Sequence, residues 1–267
     1  MESNLQPITP ATPLAGYMGG KSRLAKIIIK RISSIEHTTY VEPFVGMGGI
    51  FLRRPFKAKV EVINDYSQDI HNLFRVVKHH LDALIETIDL IPNSRAEWQR
   101  QTRSNPSTLT DIQRAARFLY LQRLSFGGKV TSRSFGVAVS SRSKAFVDER
   151  VLELVRMLHK RLRRVVIEAL PFEDCLRRYD RVQTLFYLDP PYYGHEHDYG
   201  PIFSREDFAR LAAILADIKG RFILSINDCE PIRELFAGFE IEPVETVYTA
   251  AGYVNPRKPA KELLVSN

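Results

Sequence analysis

Residues Thr184–Leu188, Thr-Leu-Phe-Tyr-Leu, form an unbroken run that ends on Asp189-Pro190-Pro191-Tyr192. A run with no polar alternation has no face to give to water, so it suits a strand covered on both sides, as in a parallel sheet. Two consecutive prolines cannot extend a central ladder. The strand therefore stops in a rigid turn, with Asp189 at its carboxyl end. Comparable strand-like segments are Thr38–Phe44, Lys59–Tyr66, Arg164–Phe172 and Arg221–Asp228, with EIEPVETVYTA and KELLVSN supplying the last two. Between them lie helical patterns. SRLAKIIIKRI is one. Leu73, Phe74, Val77, Leu81, Leu84 and Ile88 recur at helical spacing in another, and REDFARLAAILADIK follows a capping box of Ser204 and Asp207. Alternating strand and helix predict an α/β fold with a doubly wound, Rossmann-like sheet. Ligands of such sheets sit at the carboxyl ends of the strands. Phe44-Val45-Gly46, Asn64-Asp65, Pro171-Phe172 and Asp189–Tyr192 all fall there.

The alternation is interrupted. Asn72 to about Lys160 reads as an inserted, mostly helical subdomain, with helices in Asp111–Phe126 and in VDERVLELVRMLHKRLRR, and a Gly/Ser-rich loop or hairpin over Gly127–Phe146. The predicted layout is a flexible tail at 1–14, a catalytic domain from 15–71 and 161–267, and the insertion at 72–160. The chain carries +7 overall, yet Arg95–Arg164 holds sixteen Lys/Arg against five Asp/Glu, leaving the remainder at −4. Five acids cannot pair sixteen bases, and concentrated positive charge suits a polyphosphate partner, with nucleic acid favoured. The longest apolar runs fall short of the roughly 18–20 residues that span a bilayer, and MESNLQPITPATPL lacks the layout of a signal peptide. Two widely separated cysteines, Cys175 and Cys229, fit a reduced, cytoplasmic setting. No metal is expected: His195, His197 and Asp198 read as a surface loop or a lid, His79-His80 as a solvated helix, and Trp98 as core of the insertion.

Two glycine-rich stretches look like nucleotide-binding loops and depart from the patterns. GYMGGKS (Gly16–Ser22) ends as a P-loop does, but the first glycine is displaced by Ala15 and a Pro-rich segment precedes it instead of a strand. Gly46, Gly48 and Gly49 follow a strand without the third spacing of a dinucleotide fingerprint. Asp65, about 20 residues further on at the end of the next strand, is placed either to accept hydrogen bonds from a ribose or to cap a helix. Together they suggest an adenosine-type ligand. The DPPY turn is sharper. The Asp189 carboxylate and the Pro190 carbonyl present two acceptors to one amino group, and Tyr192 adds a flat face for a planar base.

In order, Gly19-Gly20-Lys21, EPFVGMGGIFL, NDYSQDI, FLYLQRLSFGGK, PFEDC, DPPY and the terminal KELLVSN resemble the Dam-type family of DNA adenine methyltransferases over most of the chain. The resemblance implies methyl transfer from S-adenosylmethionine, without metal, to the exocyclic amine of an adenine flipped out of double-stranded DNA. S-Adenosylhomocysteine would be the product, and a monomer is compatible with this. The implied cofactor-binding set is Tyr17, Lys21, Glu42, Phe44, Gly46, Gly48, Asp65, Phe172 and Asp189. Phe44, Gly46 and Gly48 would lie at the methionine end, Asp65 at the ribose, Phe172 beside the adenine, and Lys21 near both cofactor and target. Asp189, Pro190 and Tyr192 would be the catalytic residues holding the target base. Arg123, Phe126, Lys129, Arg133, Arg257 and Lys258 would contact DNA, and the basic insertion would be the target-recognition domain. The chain departs from the family where Gly127-Gly128-Lys129 follows Phe126 in place of Asn-Gly, so no recognition sequence carries over. Rival readings are a phosphate-transferring enzyme built on Gly20-Lys21-Ser22, a non-catalytic DNA-binding protein on the same scaffold, and methylation of the cytosine amine.

Overall fold

A computed structural model describes residues 5–17, 19–125, 128, 130, 133–135, 146–247 and 259–267. Five parallel strands form the centre of the main sheet: β2 (Thr39–Glu42), β4 (Val60–Asn64), β5 (Val166–Glu168), β6 (Thr184–Leu188) and β7 (Arg221–Asn227). With β8 (Glu240–Val247) and β9 (Pro259–Ser266) the order is β5-β4-β2-β6-β7-β9-β8, and β9 runs against both of its neighbours. Every residue of β6 is buried, as an apolar run without alternation requires. The order reverses between β2 and β6, which places a crevice beyond their carboxyl ends.

Successive side chains leave a strand on opposite faces, and the two cores follow that rule. Tyr40, Ile63, Leu185 and Tyr187 pack under α1 (Ala25–Ser34), α2 (Gln68–His79), α3 (Leu81–Asp89), α5 (Asp111–Leu124) and α6 (Glu149–Leu162). Val41, Val62, Phe186 and Leu188 pack under α7 (Phe172–Tyr179), α8 (Glu206–Ala216) and α9 (Glu230–Leu235). The basic segment 72–160 thus does not build a core of its own. Its helices share one with the sheet, and α4 (Arg95–Arg103) adds Trp98, 5.3 Å from Phe135 between ring centres.

Several boundaries differ from expectation. The predicted tail is anchored over residues 5–14: β1 (Gln6–Pro7) pairs with β3 (Phe56–Lys57), the Ile8 and Ala11 amides donate to Pro55 and Leu52, and Ala11 and Leu14 are buried. Backbone pairing here outweighs the Pro/Thr-rich composition. The single helical pattern from Leu73 to Ile88 is two helices broken at His80, where φ is −133° and ψ is 44°. The segment read as a strand over Arg164–Phe172 is shorter, and Phe172 already opens α7. The expected capping box before α8 is half made: the Ser204 amide donates to Asp207 Oδ2 at 2.7 Å, and no side-chain cap answers it at the helix start.

Candidate active site

Beyond the carboxyl ends of β2, β4 and β6 lies a cavity of about 1070 Å³. That is the upper end of the range of about 300–1,000 Å³ typical of a small-molecule site. Its rim is held by side chains the sequence did not advertise. Asn64, at the end of β4, donates to the carbonyls of Pro43 (2.9 Å) and Leu170 (3.1 Å) and accepts from the Leu170 amide (2.8 Å). One buried amide thereby ties three strand ends together. Asn227, at the end of β7, accepts from the Tyr193 amide at 2.9 Å and donates to its carbonyl at 3.1 Å, which fixes the turn after Pro191.

Asp189 receives Lys21 Nζ on Oδ1 at 2.5 Å, with Ser225 Oγ 3.4 Å from the same oxygen. Burial pushes its carboxyl up to about 6, and the Lys21 charge and hydrogen bond hold it from going higher. The Lys21 side chain, only 2% exposed, also sits 4.5 Å from the centre of the Tyr192 ring, 3.2 Å from the Gly19 carbonyl and 4.0 Å from Glu262 Oε2. So the lysine of GYMGGKS ends between two carboxylates and an aromatic face. Glu262 comes from the last strand, and an acid inside the apolar KELLVSN was the available signal for it.

Around the cavity, Phe44, Phe172 and Phe203 form a mutual cluster with ring centres 5.6–5.7 Å apart. Phe203 had no sequence motif to mark it. Gly46 has φ +51°, and an added Cβ would lie 3.2 Å from the Tyr17 ring, so both Gly46 and Tyr17 line the cavity at close approach. Gly48 (φ +77°) instead faces Leu52, where a Cβ would meet side-chain atoms at 3.0 Å. Among the residues predicted to bind a cofactor, Gly48 alone is absent from the lining; its glycine answers a packing need. Pro191 lines the cavity directly; Tyr192 meets it through Lys21, whose nitrogen lies over its ring.

Asp65 accepts from the amides of Gly46 (2.8 Å) and Ser67 (2.9 Å), joining the glycine loop to the start of α2. The helix-capping alternative is not met: Ser67, not Asp65, precedes the first turn of α2 and no side chain caps it, so the bond to the Ser67 amide closes a turn ahead of the helix, and Asp65 lines the cavity as well. Burial pushes its carboxyl up to about 6, against the pull of those two amides. Glu42, buried at the end of β2, accepts from Tyr40 Oη at 2.6 Å, and burial pushes its carboxyl up to about 8.

Of the predicted DNA contacts, Phe126, Lys129, Arg257 and Lys258 lie outside the described residues. Arg123 is spent internally, its guanidinium donating to the carbonyls of Leu14 (2.5 Å) and Phe146 (2.9 Å). Arg133 turns inward to Gln122 Oε1 at 3.3 Å and to the Phe118 ring. Gln122 in turn donates to the carbonyls of Gly16 and Gly128, docking the insertion onto the first glycine loop. Among the described residues no group of three or more His, Cys, Asp or Glu is arranged to hold a metal ion, and His195 and His197 each face the Asp198 carboxylate at 3.4 Å.

The family model for D12 class N6 adenine-specific DNA methyltransferases matches residues 17–250. The type II methyltransferase M1.LlaDCHI of Lactococcus lactis subsp. cremoris is 28% identical, over 99% of this chain and 96% of its own length. A DNA adenine methylase of Haemophilus influenzae is 25% identical, over 98% and 96% respectively. The type II methyltransferase M.MjaIII of Methanocaldococcus jannaschii is 27% identical over 67% and 68%. With a match over most of its length, and a DPPY turn at the crevice where its sheet order reverses, the chain belongs to the D12 class of adenine-specific DNA methyltransferases.

Proposed function

We propose that this adenine-specific methyltransferase takes S-adenosylmethionine as methyl donor in the cavity and receives its target adenine, flipped out of duplex DNA, against Asp189, Pro190 and Tyr192. The carrying observation is the placement of Asp189 just past the carboxyl end of β6, on the wall of the same cavity that Phe44, Phe172 and Phe203 line. The residues suit the donor: Phe44, Phe172 and Phe203 offer apolar faces to an adenine ring, Asp65 offers carboxylate oxygens to a ribose, and Gly46 allows close approach of the backbone. When bound, S-adenosylmethionine supplies a sulfonium-activated methyl group.

The exocyclic amine of adenine is a weak nucleophile because its lone pair is delocalised into the ring. Asp189 and the Pro190 carbonyl accept hydrogen bonds from it, drawing the nitrogen toward a geometry in which the lone pair is available. Tyr192 stacks the base and fixes its distance. The Asp189 carboxylate then receives the proton that the methylated amine sheds. These contributions are positioning and preorganised electrostatics. The positive charge of Arg95–Arg164 supports assigning DNA contact to the 72–160 segment. Asp189→Ala is expected to lower methyl transfer from labelled cofactor to unmethylated DNA at least about a hundredfold, with cofactor binding retained. Turnover near the wild-type rate would sink the assignment.

A further inference from the structure

Lys21 reaches Asp189 across the first loop, and its position is that of an occupant. We infer that Lys21 is a resident stand-in for the target amine: in the DNA-free protein its side-chain nitrogen fills the acceptor site of Asp189 in front of Tyr192, and adenine enters by exchanging with it. This rests on the reading of Asp189 as acceptor of the target amine.

Three observations carry it. The nitrogen donates to Asp189 Oδ1 at 2.5 Å, as an adenine amine would. It also sits over the Tyr192 ring, 4.5 Å from its centre, within the space a base stacked on that face would need. An ammonium and a stacked base cannot share that volume. Finally, Glu262 Oε2 lies 4.0 Å from the same nitrogen and is itself buried, so the lysine has a second carboxylate to move toward. Exchange therefore need not strand a buried positive charge, whose isolation would be costly. Until the base arrives, the lysine keeps the carboxylate paired; afterwards, moved toward Glu262, it leaves both Asp189 and the ring face to the base.

The test compares wild type, Lys21→Met and Asp189→Asn in methyl transfer from labelled S-adenosylmethionine to unmethylated plasmid DNA between pH 5.5 and 9. Without the lysine charge, Asp189 should hold its proton to higher pH, so the acid limb of the rate profile should move up by about one unit or more. With no occupant to displace, KM for DNA on the alkaline plateau should fall. An unmoved acid limb overturns the inference. So does a KM that is unchanged or raised, which would mean that base and lysine coexist, the base using Asp189 Oδ2. Loss of transfer at every pH with cofactor binding intact also overturns it, since a stand-in is not needed for the chemistry. If the Met variant does not fold, Lys21→Ala, neutral and too short to reach Asp189, is read by the same two criteria. Wild-type rates in Asp189→Asn would instead remove the underlying reading of Asp189, which separates the two failures.

Discussion

Both ends of the central sheet bury ionised side chains, and they do so to different ends. Near the amino ends of the strands, Glu61 of β4 accepts from Arg54 at 3.1 Å and from both terminal nitrogens of Arg161 at 2.5 and 2.9 Å. Each guanidinium also lies flat on a ring, Arg54 on Tyr40 at 3.6 Å and Arg161 on Phe51 at 3.9 Å. Both oxygens of the carboxylate are engaged, and the two cations lie over aromatic rings. Near the carboxyl ends, Asp189 has Lys21 and Ser225 on one oxygen, and the cavity opens beside it. A carboxylate with both oxygens bound by buried guanidinium groups, away from the cavity, holds the fold. One with capacity to spare, at the wall of a cavity, can also receive a substrate.

The sharpest way to break this comparison is Glu61→Ala. It would leave two guanidinium groups buried with no carboxylate between them, and breaking such a pair costs about 3–5 kcal/mol. Urea unfolding should show a loss of that size, with KM for cofactor and DNA unchanged in the protein that remains folded. A loss below about 1 kcal/mol, the range of a surface ion pair, would mean that the amino-end network is not the structural element its geometry implies.

The difference between the two ends also explains what the sequence made legible. The parallel strands announced themselves because burial on both faces forces apolar runs, and Asp189 did because two prolines end such a run abruptly. Glu61 and Arg161 are a hundred residues apart and carry no local pattern; only the docking of α6 beside β4 unites them. The same holds for Glu262 beside Lys21 and for Phe203 in the aromatic cluster. The internal bonds of Arg123 were hidden for a related reason. An arginine in a basic helix suits DNA, but the anchored N-terminal segment offered it the Leu14 carbonyl, and that segment looked like a loose tail because its pairing partner, β3, is itself too short to predict.

A smaller effect sharpens the site's half of the comparison. Asn227 is polar like Glu61, but it serves the DPPY turn by holding both backbone groups of Tyr193. Asn227→Ala removes both partners from a half-buried peptide and should cost about 1–3 kcal/mol. Unlike Glu61→Ala it should also slow methyl transfer, by about tenfold, because the turn carrying Asp189 and Tyr192 loses its clamp. Equal stability loss with an unaltered rate would show that the prolines alone set the turn.

Glu42 tests the comparison most finely, since it lies at the site yet is predicted to act as a neutral group. Burial pushes its carboxyl up to about 8 from an ordinary 4.5, so at neutral pH the folded protein keeps it protonated. The unfolded chain releases that proton as pH rises past 4.5, so stability is fully present below that value, falls across the interval, and is lost through pH 8. Glu42→Gln mimics the protonated carboxyl and has nothing to titrate. Its activity at pH 7 should stay within about twofold of wild type. In melts at pH 5, 6.5 and 8 its Tm should pull progressively above that of wild type, by roughly 2–4 °C for each kcal/mol of the burial penalty. Parallel melting curves would mean that Glu42 is ionised in the folded protein, with the charge of Arg54 behind Tyr40 compensating it across the strand, and that the two buried networks act as one.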